Sequence, residues 1–365
     1  VVDNDDFVLD VEGSLVVNGS VVGDSFVGNL AVNASDVVFD SSVLDFDVKQ
    51  FFVVDCDNFS VFNSSVRSNV NVSAGWVLVD GLSVFNATGK GFPVGEGLGY
   101  HGNTAGGSFG GVGGFSDESY VYGSSLWPVR MGSGGANTAG GGAVFVDTGV
   151  FVLDGGVEAS GAYHGGNFGA GSGGSILINV SSFDFGGFLE ADGASVGGLS
   201  GWGGGGGRIA VYFNDSNFVV GDLENISVEG GTGSAGYGTS GSALVSDTFS
   251  NEAWITGGFR FQGLTGKANE SVNTTFFDTT DADNWHPANL TISGADNVVF
   301  DNSLVVLNVS DVLNINSSVL DVSSTDNRIH LAAEAFIEHN VTYPSSFKLT
   351  YENLISGKID FIDNV

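Results

Sequence analysis

Fifteen asparagines in this chain stand two residues before a serine or threonine with no proline between them: Asn18, Asn33, Asn58, Asn63, Asn71, Asn86, Asn179, Asn214, Asn225, Asn269, Asn273, Asn289, Asn308, Asn316 and Asn340. An asparagine amide with a hydroxyl two residues on is the acceptor pattern for an N-linked glycan in an exported protein. The Ser and Thr content would give far fewer such triplets by chance. In LVVNGS, LAVNAS, ILINVS, VVLNVS and LNINSS the Asn follows an apolar residue that lies two after another apolar one. On a strand, two apolar residues spaced that way face the core and the Asn faces out. The competing reading needs no sugar: Asn at a corner can bond to an Asn above or below it, and a Ser or Thr two residues on is ordinary turn chemistry.

Other chemistry is thinner. Two acidic clusters are candidate Ca2+ sites through oxygen ligands: Asp3, Asp5 and Asp6, and Asp278, Asp281 and Asp283 in DTTDADN. Neither matches an EF-hand loop. A polysaccharide lyase or hydrolase would need clustered carboxylates with a basic partner such as Arg208 or Arg260, or a carboxylate pair set by ring geometry, and no such pair stands out. His101, His164, His286, His330 and His339 are too far apart in sequence for a ligand motif. GWGGGGGRIAV lacks the Lys-Ser/Thr ending of a phosphate loop and leads into a strand pattern. The lone Cys56 excludes a disulfide framework.

These residues need elements to hold them, and the composition points to strands. Lys, Arg and Met are scarce, while Val, Phe, Ser, Asn, Asp and Gly abound. That mixture suits pleated, half-buried surfaces joined by turns, an all-β chain. The net charge of −32 repels nucleic acid and anionic membranes. No apolar run is long enough for a membrane span. The start at Val1 rather than Met points to a processed or trimmed form, which leaves room for a removed signal peptide or anchor.

Most of the 59 glycines fall between Gly89 and Gly241. Three apolar segments interrupt them: GGAVFVDTGVFVLDGG from Gly141, GGSILINVSSFDFGG from Gly173 and GGRIAVYFNDSNFVVG from Gly206, spaced 32 and 33 residues apart. A fixed step of this size marks a repeat architecture whose units stack on their neighbours. Residues 1–88 carry short strands too closely spaced for crossover helices. Only Asn18-Gly19 signals a tight hairpin, so successive sides of a β-solenoid are favoured over antiparallel pairs. Four regions follow: 1–88, N-terminal β-helix coils; 89–249, glycine-rich coils with a side lobe; 250–329, further coils after a break in pattern; 330–365, a C-terminal cap or interface segment. In the last, LAAEAFIEH reads as a strand or a short capping helix.

The pieces GKGFPVGEGLG, YGSSLWPVRMGSGG, GGGAVFVDTGVFVLDGGVEASG, GSGGSILINVSSFDFGGFLEADG and GGGGGRIAVYFND, from Gly89 to about Asp215, resemble a glycine-rich repeat region of large predicted surface proteins of archaea and bacteria. The resemblance implies a right-handed, pectin-lyase-like parallel β-helix and carries no catalytic motif. The expected protein is thus an extracellular or cell-surface structural glycoprotein: an envelope, sheath, filament or adhesin component, self-associating or bound to other envelope proteins. A polysaccharide-active enzyme and a carbohydrate-binding attachment module are the alternatives. Tyr120, Tyr122, Trp127 and Trp202 are candidate anchors for a protein partner, or the lobe's own core. The stretch from Tyr100 to Ile178 has no sequon, as a bare contact face would.

Overall fold

The computed structural model describes residues 7–23, 28–117, 120–163, 165–261, 287–293, 297–300, 306–309, 312–316, 320–322, 328–332, 335–339, 348–351 and 359–362. Among them the chain is all-β, apart from 3-10 residues at Val220–Asn225 and at Tyr120. The closely spaced N-terminal strands pair in parallel. Leu30–Asp40 pairs with Phe51–Phe62, that strand with Asn69–Val79, and the last with Ala143–Leu153. Ser175–Phe185, Arg208–Phe213 and Ser242–Asp247 continue the order. Phe7–Asp10 and Ser14–Asn18 both lie along Leu30–Asp40. A second parallel sheet runs through Val21–Gly23, Val43–Asp45, Ser65–Arg67, Val84–Asn86, Gly156–Glu158, Phe188–Glu190 and Ile226–Ser227.

Register turns the apolar pattern into columns. Val32, Val54, Val72, Val146, Ile178, Val211 and Val245 are partners from strand to strand, and all are buried. Each contributes about 1.5–3 kcal/mol by leaving water. A second column, Val37, Phe59, Val77, Phe151 and Phe183, includes the stacked rings of Phe151 and Phe183 at 5.6 Å. Between the columns the alternation slips once in each of the five strands that carry them, from Leu30–Asp40 to Ser175–Phe185. Buried Cys56 is followed by exposed Asp57 and Asn58 before buried Phe59, and Ser35 and Asp36 hold the same place one strand earlier. One extra outward residue bends the strand, so each long strand presents two successive stretches of apolar wall.

The 32- and 33-residue steps are strand-to-strand steps: Ala143 pairs with Ser175, and Ser175 with Arg208. Just before each strand, Gly142, Gly174, Gly207 and Gly241 stack so closely that a Cβ on Gly174 would lie 1.9 Å from the Gly142 oxygen, and one on Gly241 1.8 Å from the Gly207 oxygen. Only glycine fits there. Val70 meets Val144 directly, so residues 89–142 leave the sheet as one excursion and return to the next register.

After Asp247 the chain reverses. Asn251, at φ 57, helps close a hairpin, and Glu252–Phe261 pairs antiparallel with Ser242–Asp247. Beyond it Asn289–Ser293, Val312–Asn316, Ala335–His339 and Ile359–Ile362 are parallel again, pointing the opposite way from the first set. The core face changes as well. Val245 and its partner Trp254 face the first core, whereas Leu290, Ile292 and Leu313 are buried on the face of Leu244 and Ile255. The segment LAAEAFIEH holds parts of two strands, Arg328–Ala332 and Ala335–His339; the alternative of a capping helix is not what these residues form.

Candidate functional site

The alternation places the described sequon asparagines outside. Asn18, Asn33, Asn58, Asn63, Asn71, Asn179, Asn214 and Asn225 are exposed, and Asn86 and Asn289 are half-buried. Asn308 and Asn316 lie on strands; Asn269, Asn273 and Asn340 fall outside the described residues.

Register then gives many of them a carboxylate. Nδ2 of Asn33 donates to Asp10 directly opposite, and Nδ2 of Asn58 to Asp36 at 2.9 Å. Asn179 reaches Asp147 at 3.1 Å, Asn18 reaches Asp40 at 3.3 Å, and Asn86 donates to Glu158. Asn58 and then Ser14 hold the Asp36 carboxyl below its usual range. Along the row Asp10, Asn33, Asp55, Ser73, Asp147, Asn179, no two carboxylates stand opposite each other. That arrangement removes the repulsion a column of aspartates would carry. The ladder partners are Asn and Asp rather than Asn and Asn.

The second sheet breaks this rule. Glu158 stands directly opposite Glu190. Ser160 Oγ donates to Glu190 at 2.8 Å, and Asp192 accepts from Ser227 Oγ at 2.6 Å and from the Glu229 N–H at 2.7 Å. Burial pushes Asp192 up to about 6, and burial followed by the Glu190 charge raises Glu158. Counting carboxylates did not reveal this row; its signal lay in the repeats, where VEASG and LEADG carry a Glu at the same place.

The excursion 89–142 folds back over the outer face of the later strands, and Arg208 holds it there. Its guanidinium is fully buried. Nη1 donates to Ser125 Oγ at 2.6 Å and Ser242 Oγ at 3.1 Å, and Nη2 donates to the Tyr122 carbonyl at 2.9 Å. The Phe109 ring lies 5.4 Å away. Burial lowers its pKa to about 9, so it is still a cation at neutral pH. Sealed in this way, Arg208 has no route to a polysaccharide chain. Arg260 lies on the strand Glu252–Phe261.

Each candidate aromatic packs on a different partner. Tyr122 is buried in the lobe's own core, with its hydroxyl donating to the Met131 carbonyl at 2.6 Å and its ring 4.8 Å from Phe109. Half-buried Tyr120 stacks on His101 at 4.3 Å. Trp202 leans on Phe115 at 5.1 Å. Trp127 is 51% exposed and tilts against Tyr212 at 6.0 Å. Among the described residues no three His, Cys, Asp or Glu side chains are grouped to hold a metal ion. Asp278, Asp281 and Asp283 lie outside those residues, as do Asp3, Asp5 and Asp6. No described helix is long and apolar enough to cross a membrane. No protein-family model, curated protein or solved structure matches the chain.

Proposed function

We propose that this chain is a structural glycoprotein of the cell surface, working as a stiff parallel β-helical rod in an envelope, sheath, filament or adhesin. The observation that carries the proposal is the orientation of the sequons: no asparagine of the pattern with a described side chain is buried. Columns of identical apolar register inside, and acceptor amides outside, suit a rod that acts by shape and carries sugar on its surface. Hydrogen bonds between neighbouring parallel strands in both sheets oppose bending of the stack.

The reversal at Asn251 keeps the sheet hydrogen-bonded, through the antiparallel pair Ser242–Asp247 and Glu252–Phe261, while the apolar core passes to the sheet's other face, so the rod reading rests on the strands before Asp247. Intact mass before and after deglycosylation, with electron micrographs of the same sample, tests the reading. The expected result is a mass above the bare chain's 37.4 kDa and rod-shaped particles. A bare chain that forms compact particles would defeat it. A second reading, an enzyme acting on polysaccharide, draws on the row Glu158, Glu190 and Asp192; Glu190→Gln abolishing release of sugar ends from an acidic or neutral polymer would favour it.

A further inference from the structure

Asn71 differs from the laddered sequons. Its cross-strand partners are Val53 on one side and Phe145 on the other, not carboxylates. Its side chain has no hydrogen-bond partner among the described residues, and Ser73, which completes the triplet, is exposed on the same face. Phe51 and Phe145 belong to the two strands that flank Asn69–Val79, so their backbones stand roughly 10 Å apart. Their rings nevertheless stack with centroids 6.3 Å apart, leaning towards each other over the intervening strand. Asn69, beneath them, is buried and saturated, bonding to the Gln50 and Lys90 carbonyls and to the Ala143 N–H. Asn71 therefore emerges beside a half-buried phenyl pair.

Resting on the glycoprotein reading, we infer that Asn71 is the preferred glycan acceptor of this face and that its first sugar packs on the Phe145–Phe51 rings. Both parts follow from the surroundings. In Asn33, Asn58 and Asn179 the amide nitrogen is committed to a neighbouring carboxylate, whereas that of Asn71 is free to react. In the transfer, Nδ2 of Asn71 forms a bond to the anomeric carbon of a lipid-linked glycosyl diphosphate. The bond from that carbon to the diphosphate oxygen breaks, the diphosphate leaves with the electron pair, and the amide proton passes to a base of the transferase. The attached ring then lies over the directly opposed Phe145, since facing side chains on neighbouring strands sit about 5 Å apart. Its apolar C–H face covers phenyl surface that water otherwise wets.

Glycopeptide mass spectrometry of the full chain from its native host is the test. Occupancy at Asn71 is expected to be several-fold above that at Asn33, Asn58 or Asn179, and Asn71→Gln should remove one glycan and no other. Sugar on the laddered sequons with Asn71 bare overturns the inference while leaving the glycoprotein reading intact; a chain bare at every sequon overturns both. The packing is tested by Phe145→Leu, which keeps an apolar residue at the site. It should lower the melting temperature of the glycosylated chain more than that of the enzymatically deglycosylated chain. Equal shifts would show that the sugar does not rest on the ring.

Discussion

The outer face of one sheet has two characters. Over Leu30–Val79 it is open and carries Asn33, Asp55, Asn58 and Asn71 into solvent. Over the first residues of Ala143–Leu153, Ser175–Phe185, Arg208–Phe213 and Ser242–Asp247 the equivalent face is covered: Ala143, Ser175, Arg208 and Ser242 form one cross-strand row with no exposure, while Asp147 and Asn179 further along stay exposed. Backbone pairing and core columns are continuous between the two. The difference is the excursion 89–142, which packs down on the second part, and it shows that a parallel stack leaves its outer side free to be hydrated or to be roofed.

The comparison breaks most severely at the roofed end. Gly207→Val would set a side chain against the Gly174 and Ala191 carbonyls, 2.3 and 2.7 Å from its Cβ. Backbone cannot yield there as a flexible side chain can, so a loss of more than about 3 kcal/mol is expected in denaturant unfolding. Arg208→Met is next. It removes the donor to the buried Tyr122 carbonyl and to the Ser125 and Ser242 hydroxyls, which keep only their bond to each other at 2.9 Å, at a cost of about 2–4 kcal/mol, while Arg130→Met, on the exposed surface, should change little. If both arginine variants unfold alike, the guanidinium is not what holds the roof.

Asp192 comes third, with an effect that depends on pH. Its folded-state pKa of about 6 lies above the ordinary 3.8, so the folded chain holds this proton more tightly than the unfolded one. That favours folding below about pH 4, and the advantage is lost as pH rises through 6. Asp192→Asn should flatten the stability profile between pH 4 and 6 and raise stability at pH 7 by on the order of 1–2 kcal/mol. An unchanged slope in that window would mean that the group does not titrate there. The smallest effect belongs to the open face: Asn33→Ala removes one exposed bond to Asp10 and should cost less than about 1 kcal/mol by the same measurement.

Much of this was legible along the chain. The 32- and 33-residue steps proved to be register steps because each unit must bury its apolar face on the next one. Asn18, Asn33 and Asn179 face out because each follows a pair of core residues two apart. The Asn–Asp ladder was not legible, since Asp10 and Asn33 become neighbours only when their strands align. The carboxylate row at Glu158 and Glu190 was half visible, as two copies of one motif whose closeness depended on that same alignment. Tyr122 looked like a possible contact residue until the excursion was seen to fold around it.

The sequence by itself determined the strand class, the step of the repeat and the outward face of asparagines in motifs such as LAVNAS and ILINVS. These follow from side-chain period and turn chemistry, whereas the strict need for glycine at Gly174 rests on its closeness to the Gly142 oxygen in the folded stack. Only the tertiary structure decided that Val70 meets Val144 across the excursion, that Arg208 lies beneath a roof, and that both strand direction and core face invert after Asp247. Alternation with period two reads the same forwards and backwards, so it fixes which residues share a face but not which way a strand runs or which face finds a core.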